Sequence, residues 1–229
     1  QGNHLLQNLC GLLIGSCVFG GERAAVIREK ALLHLSRVAE EQILADGMHE
    51  ERSFSYHIKA LLDLLEVVTL AQCGAFRSMG SKGQEAAQRL GRLVARMAGA
   101  VASTWEQVSD LPLMNDSEEV PQQIAELAIA RASSVVGLSL PSTGDRCNGS
   151  GYLVGSVGPW SAVLDVGPAG PDHQMGHAHA DHLGFEVWYR RRKLVCDSGN
   201  VTYNEGHKRQ WYRSTAAHNT VRIEGQDSL

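Results

Sequence analysis

The chain has 229 residues, 43% hydrophobic and 20% charged, with Gly 24 and Pro 6. These values exclude a disordered or fibrous protein and suit one large domain or two small ones. A formal net charge of -4 gives no general electrostatic reason to bind nucleic acid. Local basic runs remain, at Arg190-Arg191-Arg192-Lys193 and at Lys208, Arg209 and Arg213. They suit either an anionic glycan or a solvated strand turn.

The five cysteines (Cys10, Cys17, Cys73, Cys147 and Cys196) are irregularly spaced and contain no CxxC pair. Neither a disulfide framework nor a thiolate zinc site is indicated, and the compartment stays open on this ground. The apolar run from Leu5 to Phe19 is too short, and too broken by Gly and Gln, to span a bilayer. No membrane insertion is expected. No signal peptide is visible, the first residue is Gln1, and the chain stops directly after an expected strand, so an internal piece of a longer protein is expected.

From Asn3 to about Arg131 the apolar spacing is helical. Leu5, Leu6, Leu9, Leu12 and Leu13 make a first helix apolar nearly all round, hence expected to be buried. A second begins near Glu22 with Ile27, Ala31, Leu35, Val38 and Ile43, and Asp46-Gly47 breaks it. A third carries Ile58, Leu61, Leu62, Leu65 and Val68, and is expected to stop before a Ser81-Lys82-Gly83 loop. Ala86, Leu90, Leu93, Val94, Met97 and Val101 mark a fourth. After an irregular stretch around Pro112, Asp116 is a candidate cap for a fifth, with Pro121 in its first turns.

Beyond about Pro141 the period becomes two. Strands are predicted at Tyr152-Leu153-Val154, Ala162-Val163-Leu164, Phe185 to Tyr189, Lys193-Leu194-Val195 and Thr220-Val221-Arg222-Ile223. Helices followed by strands imply two segregated layers rather than alternating βαβ units. The expected division is a helical part over 1–140 and a β part over 141–229, with the boundary near residues 138–150.

Histidine carries the strongest chemical signal, because six of the ten fall between His173 and His218. The core is Gly176-His177-Ala178-His179-Ala180-Asp181-His182, then Cys196-Asp197-Ser198-Gly199, then Arg213 to Thr220 with His218. His177 and His179, two apart in an extended segment, project to one side. Asp197 and His218 could converge on them, and neutral imidazoles with a carboxylate suit zinc. A hydrogen-bonded cluster without metal is the other reading. HAHADH also fits the HxHxDH signature of metallo-β-lactamase-like hydrolases. In that fold the motif leads into a helix, whereas here an alternating, strand-like segment follows. A second polar group joins Gly2-Asn3-His4 to the segment Asp46 to His57, which contains Tyr56. Its plainer readings are a helix cap and a half-buried aromatic.

At these residues the chain resembles the heparinase II/III family of polysaccharide lyases, and is similar to oligoalginate lyases. The resemblance rests on Gly2-Asn3-His4, on Asp46-Gly47-Met48 through Tyr56-His57, and on GHAHADHLGFEVW. It continues through LVCDSGNVTY and the run from Arg209 to Val221, so it spans nearly the whole chain in order. It implies a partial α/α toroid of antiparallel helices followed by an incomplete antiparallel β-sandwich.

The implied reaction is β-elimination on an anionic uronate-containing polysaccharide or oligosaccharide, such as a glycosaminoglycan or alginate. A carboxylate must be neutralised, a C5 proton taken and the leaving oxygen protonated. By resemblance Asn3 and His4 neutralise the carboxylate, Tyr56 serves as acid or base, and His177 fills the second acid/base or neutralising position. Tyr203 and Arg213 are candidate substrate contacts, and Trp188 and Trp211 candidate sugar-stacking rings, with packing more natural for Trp188. The resemblance also implies a structural zinc on His179, Asp197 and His218, and a periplasmic or secreted location. Gln7 departs from relatives that carry an acidic residue there. The competing functions are a non-catalytic glycan-binding relative and the zinc hydrolase.

Overall fold

In the computed structural model, residues 2–140, 149–173 and 175–228 are described. Helix α1 (Asn3–Val18) follows Gly2, whose φ of 65° turns the chain into the helix. Leu6, Leu9, Cys10 and Leu13 recur at helical spacing and are buried, whereas Leu12, Val18 and Phe19 are exposed. The expected all-round burial of this helix is therefore wrong, because the described residues cover only one of its sides. A cavity of about 780 Å³ lies along the uncovered side, between α1 and α2 (Glu22–Gln42), lined by Leu12, Phe19 and Ile27.

Helix α3 (Phe54–Gln72) starts at Ser53, whose hydroxyl accepts the Tyr56 N–H. It is buried along most of its length, packed against α1, α4 (Gly80–Trp105) and α5 (Gln122–Val135). Ser81-Lys82-Gly83 is not a loop but the first turn of α4. The break falls earlier, at Gly74 and Gly80, which take positive φ values of 87° and 64°. Helix α5 begins directly after Pro121, so Asp116 does not cap it.

Strands β1 (Tyr152–Val157), β2 (Trp160–Asp165), β3 (Phe185–Tyr189) and β4 (Arg192–Val195) form one antiparallel sheet in chain order. The register pairs Tyr152 with Asp165 and Trp160 with Tyr189, and an irregularity at Val187/Trp188 shifts β4. Alternation places Val163, Glu186 and Trp188 inward while Trp160, Leu164 and Phe185 face out. The fifth predicted strand is absent: among the described residues, 220–223 makes only an isolated bridge from Ile223 to Gln226. Beyond β4 the chain forms a short helix, α6 (His207–Arg213). The boundary expected near residues 138–150 falls largely on 141–148, outside the described residues.

The segment between α4 and α5 joins the two halves. Trp188 is fully buried and donates from Nε1 to Asp110 at 2.7 Å, so it is a core residue rather than a sugar platform. Lys193 pairs with Glu186 and Asp110. Arg191 donates to the Glu106 and Val108 carbonyls, each at 2.9 Å. Two members of the basic run on the β3–β4 turn thus hold this segment against the sheet. The Tyr152 hydroxyl donates to the Arg52 carbonyl at 2.6 Å, tying β1 to the start of α3.

Candidate active site and metal cluster

The second polar segment reaches the site through hydrogen bonding. His49 and His57 lie fully buried below it, with the His57 Nδ1 accepting the His49 N–H at 3.1 Å. Glu51, 2% exposed, accepts the Asn3 backbone N–H on Oε1 at 2.9 Å. Its Oε2 is buried without a hydrogen bond and lies 3.9 Å from His177 Nε2. Asn3 Oδ1 is likewise buried and unpartnered. His4, one residue on, is exposed in the first turn of α1.

Tyr56 leaves the first turn of α3 and its ring stands 4.7 Å from the His177 ring, centre to centre. Tyr203 is half exposed, 6.3 Å from the same imidazole. Burial pushes the Tyr56 phenol well above its ordinary pKa, and the neighbouring Tyr203 hydroxyl and the Asp116 and Glu51 carboxylates push the same way. The phenol therefore holds its proton. The residues lie on two halves of the fold, less than a sugar's width apart.

The third element is the α4–α5 segment, where Met114, Asn115, Asp116 and Ser117 are all essentially inaccessible. Asn115 takes a φ of 54°, an uncommon conformation that asparagine tolerates better than most side chains. Its N–H donates to Asp181 Oδ2 at 3.1 Å, and its amide donates to the Tyr152 hydroxyl at 3.1 Å. Its Oδ1 accepts the His179 N–H at 3.2 Å. Phe54 donates to the Ser117 hydroxyl, and Asn200 to the Ser117 carbonyl. Gly199 passes so close that a Cβ there would stand 2.5 Å from that carbonyl.

Asp116 is thereby set between two imidazoles: Oδ2 lies 2.6 Å from His177 Nδ1 and Oδ1 2.7 Å from His179 Nε2. Arg209, from α6, donates to both carboxylate oxygens, Nη1 to Oδ1 and Nη2 to Oδ2. Burial alone would raise the Asp116 pKa, but the hydrogen bonds from His177, His179 and Arg209 hold it well below the usual carboxylate range. From sequence, Asp116 is a candidate helix cap and Arg209 only one member of a basic run. Glu51 lies within the segment Asp46 to His57 but carries no chemical signal of its own in the sequence. Loop residues without periodicity offer no signal of which distant side chains they meet.

The last cluster is His179, Asp197 and His218. His218 Nδ1 lies 2.9 Å from both Asp197 oxygens, and the His179 and His218 rings are 5.2 Å apart. His179 Nδ1 is buried and unpartnered. Two imidazoles and a carboxylate are a zinc-type donor set, and an orphaned ring nitrogen within it is a donor without a use in the fold. As they stand, the Asp197–His218 hydrogen bonds close the set. Among the described residues, no three His, Cys, Asp or Glu side chains surround a common point suited to an ion. The donor chemistry of His179, Asp197 and His218 would suit zinc.

Arg213 donates to the Ala178 carbonyl at 3.0 Å and the Met175 carbonyl at 3.1 Å, bracing the segment that carries His177 and His179. Asp181 is buried, His182 and Trp211 are exposed, and HAHADH leads into β3 rather than a helix. Among the described residues no helix is long and apolar enough to cross a membrane.

Residues 1–135 match the heparinase II/III N-terminus and residues 141–229 the heparinase II/III-like C-terminal family. The chain belongs to the heparinase II/III family. It is 26% identical over 99% of its length to a heparin-sulfate lyase of Bacteroides stercoris. It is 25% identical over 84% of its length to a heparin-sulfate lyase of Bacteroides thetaiotaomicron. It spans 36% and 32% of those two relatives. A crystal structure of heparinase III superposes with a TM-score of 0.72 at 20% identity, covering 99% of this chain and 40% of that one. Heparan sulfate lyase HepC from Pedobacter heparinus superposes with a TM-score of 0.71 at 23% identity, over 99% and 38%. The fold is accordingly a partial α/α toroid followed by an incomplete antiparallel β-sandwich.

Proposed function

We propose that the protein containing this chain is a polysaccharide lyase that cleaves a uronate-containing glycosaminoglycan by β-elimination. The observation that carries this reading is the meeting of Tyr56 and His177, from separate halves of the fold, at 4.7 Å between ring centres. Family membership and the heparin-sulfate lyase relatives support the reaction class and point to heparan sulfate as the first substrate to try. Alginate and other uronate polymers belong in the same panel.

In this reading Asn3 and His4 neutralise the uronate carboxylate, which makes the C5 proton more acidic. His177 takes that proton through Nε2. The C5–H electron pair forms the C4–C5 double bond, the C4–O bond breaks, and the Tyr56 hydroxyl protonates the departing oxygen. A phenol held protonated by burial suits the acid role better than the base role. Tyr203 lines the approach to both rings, and any part Arg213 takes in substrate binding is secondary to its bracing of the His177 segment. His179, Asp197 and His218 would hold a structural zinc that stiffens the wall behind His177. Export to the periplasm or medium goes with a polymeric glycan substrate.

The test is the full-length protein on a panel of uronate polymers, followed by the ultraviolet absorbance of the new double bond. A product that absorbs, and is lost in Tyr56→Phe and His177→Ala, supports the reading. Glycan binding without absorbance would make the protein a binding relative. New reducing ends without absorbance, abolished by a chelator, would make it a metal-dependent hydrolase.

A further inference from the structure

The geometry points to Asp116 as the positioning residue of this site: one carboxylate sets the tautomers of His177 and His179 at once, in opposite senses. The inference rests on the lyase reading and adds a residue to it. Both Asp116 oxygens accept from Arg209, so the carboxylate is an acceptor only. Each imidazole that touches it must then donate. At His177 the donor is Nδ1, at 2.6 Å, which leaves the Nε2 lone pair on the side of Glu51. At His179 the donor is Nε2, at 2.7 Å, which leaves the Nδ1 lone pair buried and unpartnered, beside His218.

One side chain thus readies His177 Nε2 to receive a proton and His179 Nδ1 to ligate a cation. The arrangement is rigid. Asp116 is inaccessible, and its neighbours Asn115 and Ser117 are hydrogen-bonded into both halves of the fold. Asn200 Oδ1 and the Gly176 carbonyl accept further bonds from the same guanidinium, so Arg209 is held in its turn. Asp116 is itself fully inaccessible, so it acts through the two histidines rather than on substrate.

The test uses Asp116→Asn in the full-length protein, with three readouts: kcat and KM on heparan sulfate, and zinc bound per chain after dialysis. A carboxylate behind a ligating or catalytic histidine typically matters by about 10–100-fold. We expect kcat to fall by about that factor with KM within about twofold, and zinc retention to fall alongside it. Asp116→Glu, which keeps the acceptor-only character, should recover part of both. In a His177→Ala background Asp116→Asn should cost kcat almost nothing further. A kcat within threefold of the parent, a change confined to KM, or full additivity with His177→Ala would each overturn the inference. If Asp116→Asn does not fold, the imidazole nitrogen chemical shifts of the parent protein decide: a proton on Nε2 of neutral His177, or on Nδ1 of neutral His179, would overturn the inference equally. A parent protein that makes no unsaturated product would instead sink the lyase reading, while zinc retention would still judge the His179 half.

Discussion

Two buried histidine clusters lie on either side of Glu51, and they differ in how completely they are satisfied. In the first, His57 accepts the His49 N–H, its Nε2 reaches the Met97 carbonyl at 3.1 Å, and His49 Nε2 meets Gln42 at 3.3 Å. No carboxylate hydrogen-bonds these rings among the described residues. Burial depresses His49 to about 3 and His57 to about 4. In the second, around His177, His179 and His218, carboxylates bond every ring, and orphaned atoms remain on Glu51, His179 and Asn200. A closed network of neutral partners rigidifies a core, whereas a charged network with unfilled positions is organised around something the fold itself does not supply.

The sharpest way to break this comparison is to truncate each cluster and ask which loss reads out in turnover. Tyr56→Phe and His177→Ala are expected to lower kcat by about 10²–10⁴-fold, measured as unsaturated product, with a small change in Tm. His57→Ala is expected to do the reverse. It strands the His49 N–H and the Met97 carbonyl, at about 1–3 kcal/mol each, seen in urea unfolding, while kcat per folded molecule is retained. A His57 variant that folds well and is inactive would erase the distinction.

Acid sharpens it further. An unfolded histidine titrates at about 6.5, well above the folded values for His49 and His57. Between those limits the unfolded chain binds more protons, so stability is full above about pH 6.5 and falls as pH drops, by about 1.4 kcal/mol per unit for each ring. Tm followed from pH 8 to pH 4 should show that slope, and His57→Gln should flatten it. A Tm that does not change below pH 6 would contradict the burial described here. Chelation should lower Tm by a few degrees through loss of a ligand that binds only the folded state, and His179→Ala should remove that response while leaving the acid slope intact. Smallest of all, Arg89→Ala, which breaks an exposed pair with Glu40 at 3.0 Å, should cost less than about 1 kcal/mol and leave kcat unaltered.

Much of the molecule is legible without coordinates. The helical spacing of Leu90, Leu93, Val94 and Met97 marks α4, and the alternation of Phe185 to Tyr189 marks β3, because each period follows from backbone geometry within a few residues. Where local pattern misled, a longer-range cause is visible. Thr220 to Ile223 alternates like a strand, but among the described residues no neighbouring strand pairs with it. Trp188, better suited by its alternation to packing than to a sugar, is buried with its Nε1 on Asp110.

Sequence by itself determined the helix-then-strand division, the family, and the density of histidines after His173. Those properties are local or cumulative, and each is written in residue type and spacing. Only the tertiary structure decided that Asp116 stands between His177 and His179, that Arg209 clamps it, and that Glu51 lies between Asn3 and His177. All of those partners are separated by 48 or more positions along the chain. Their meeting depends on how two halves pack across an aperiodic loop, and no short-range preference of the backbone encodes that.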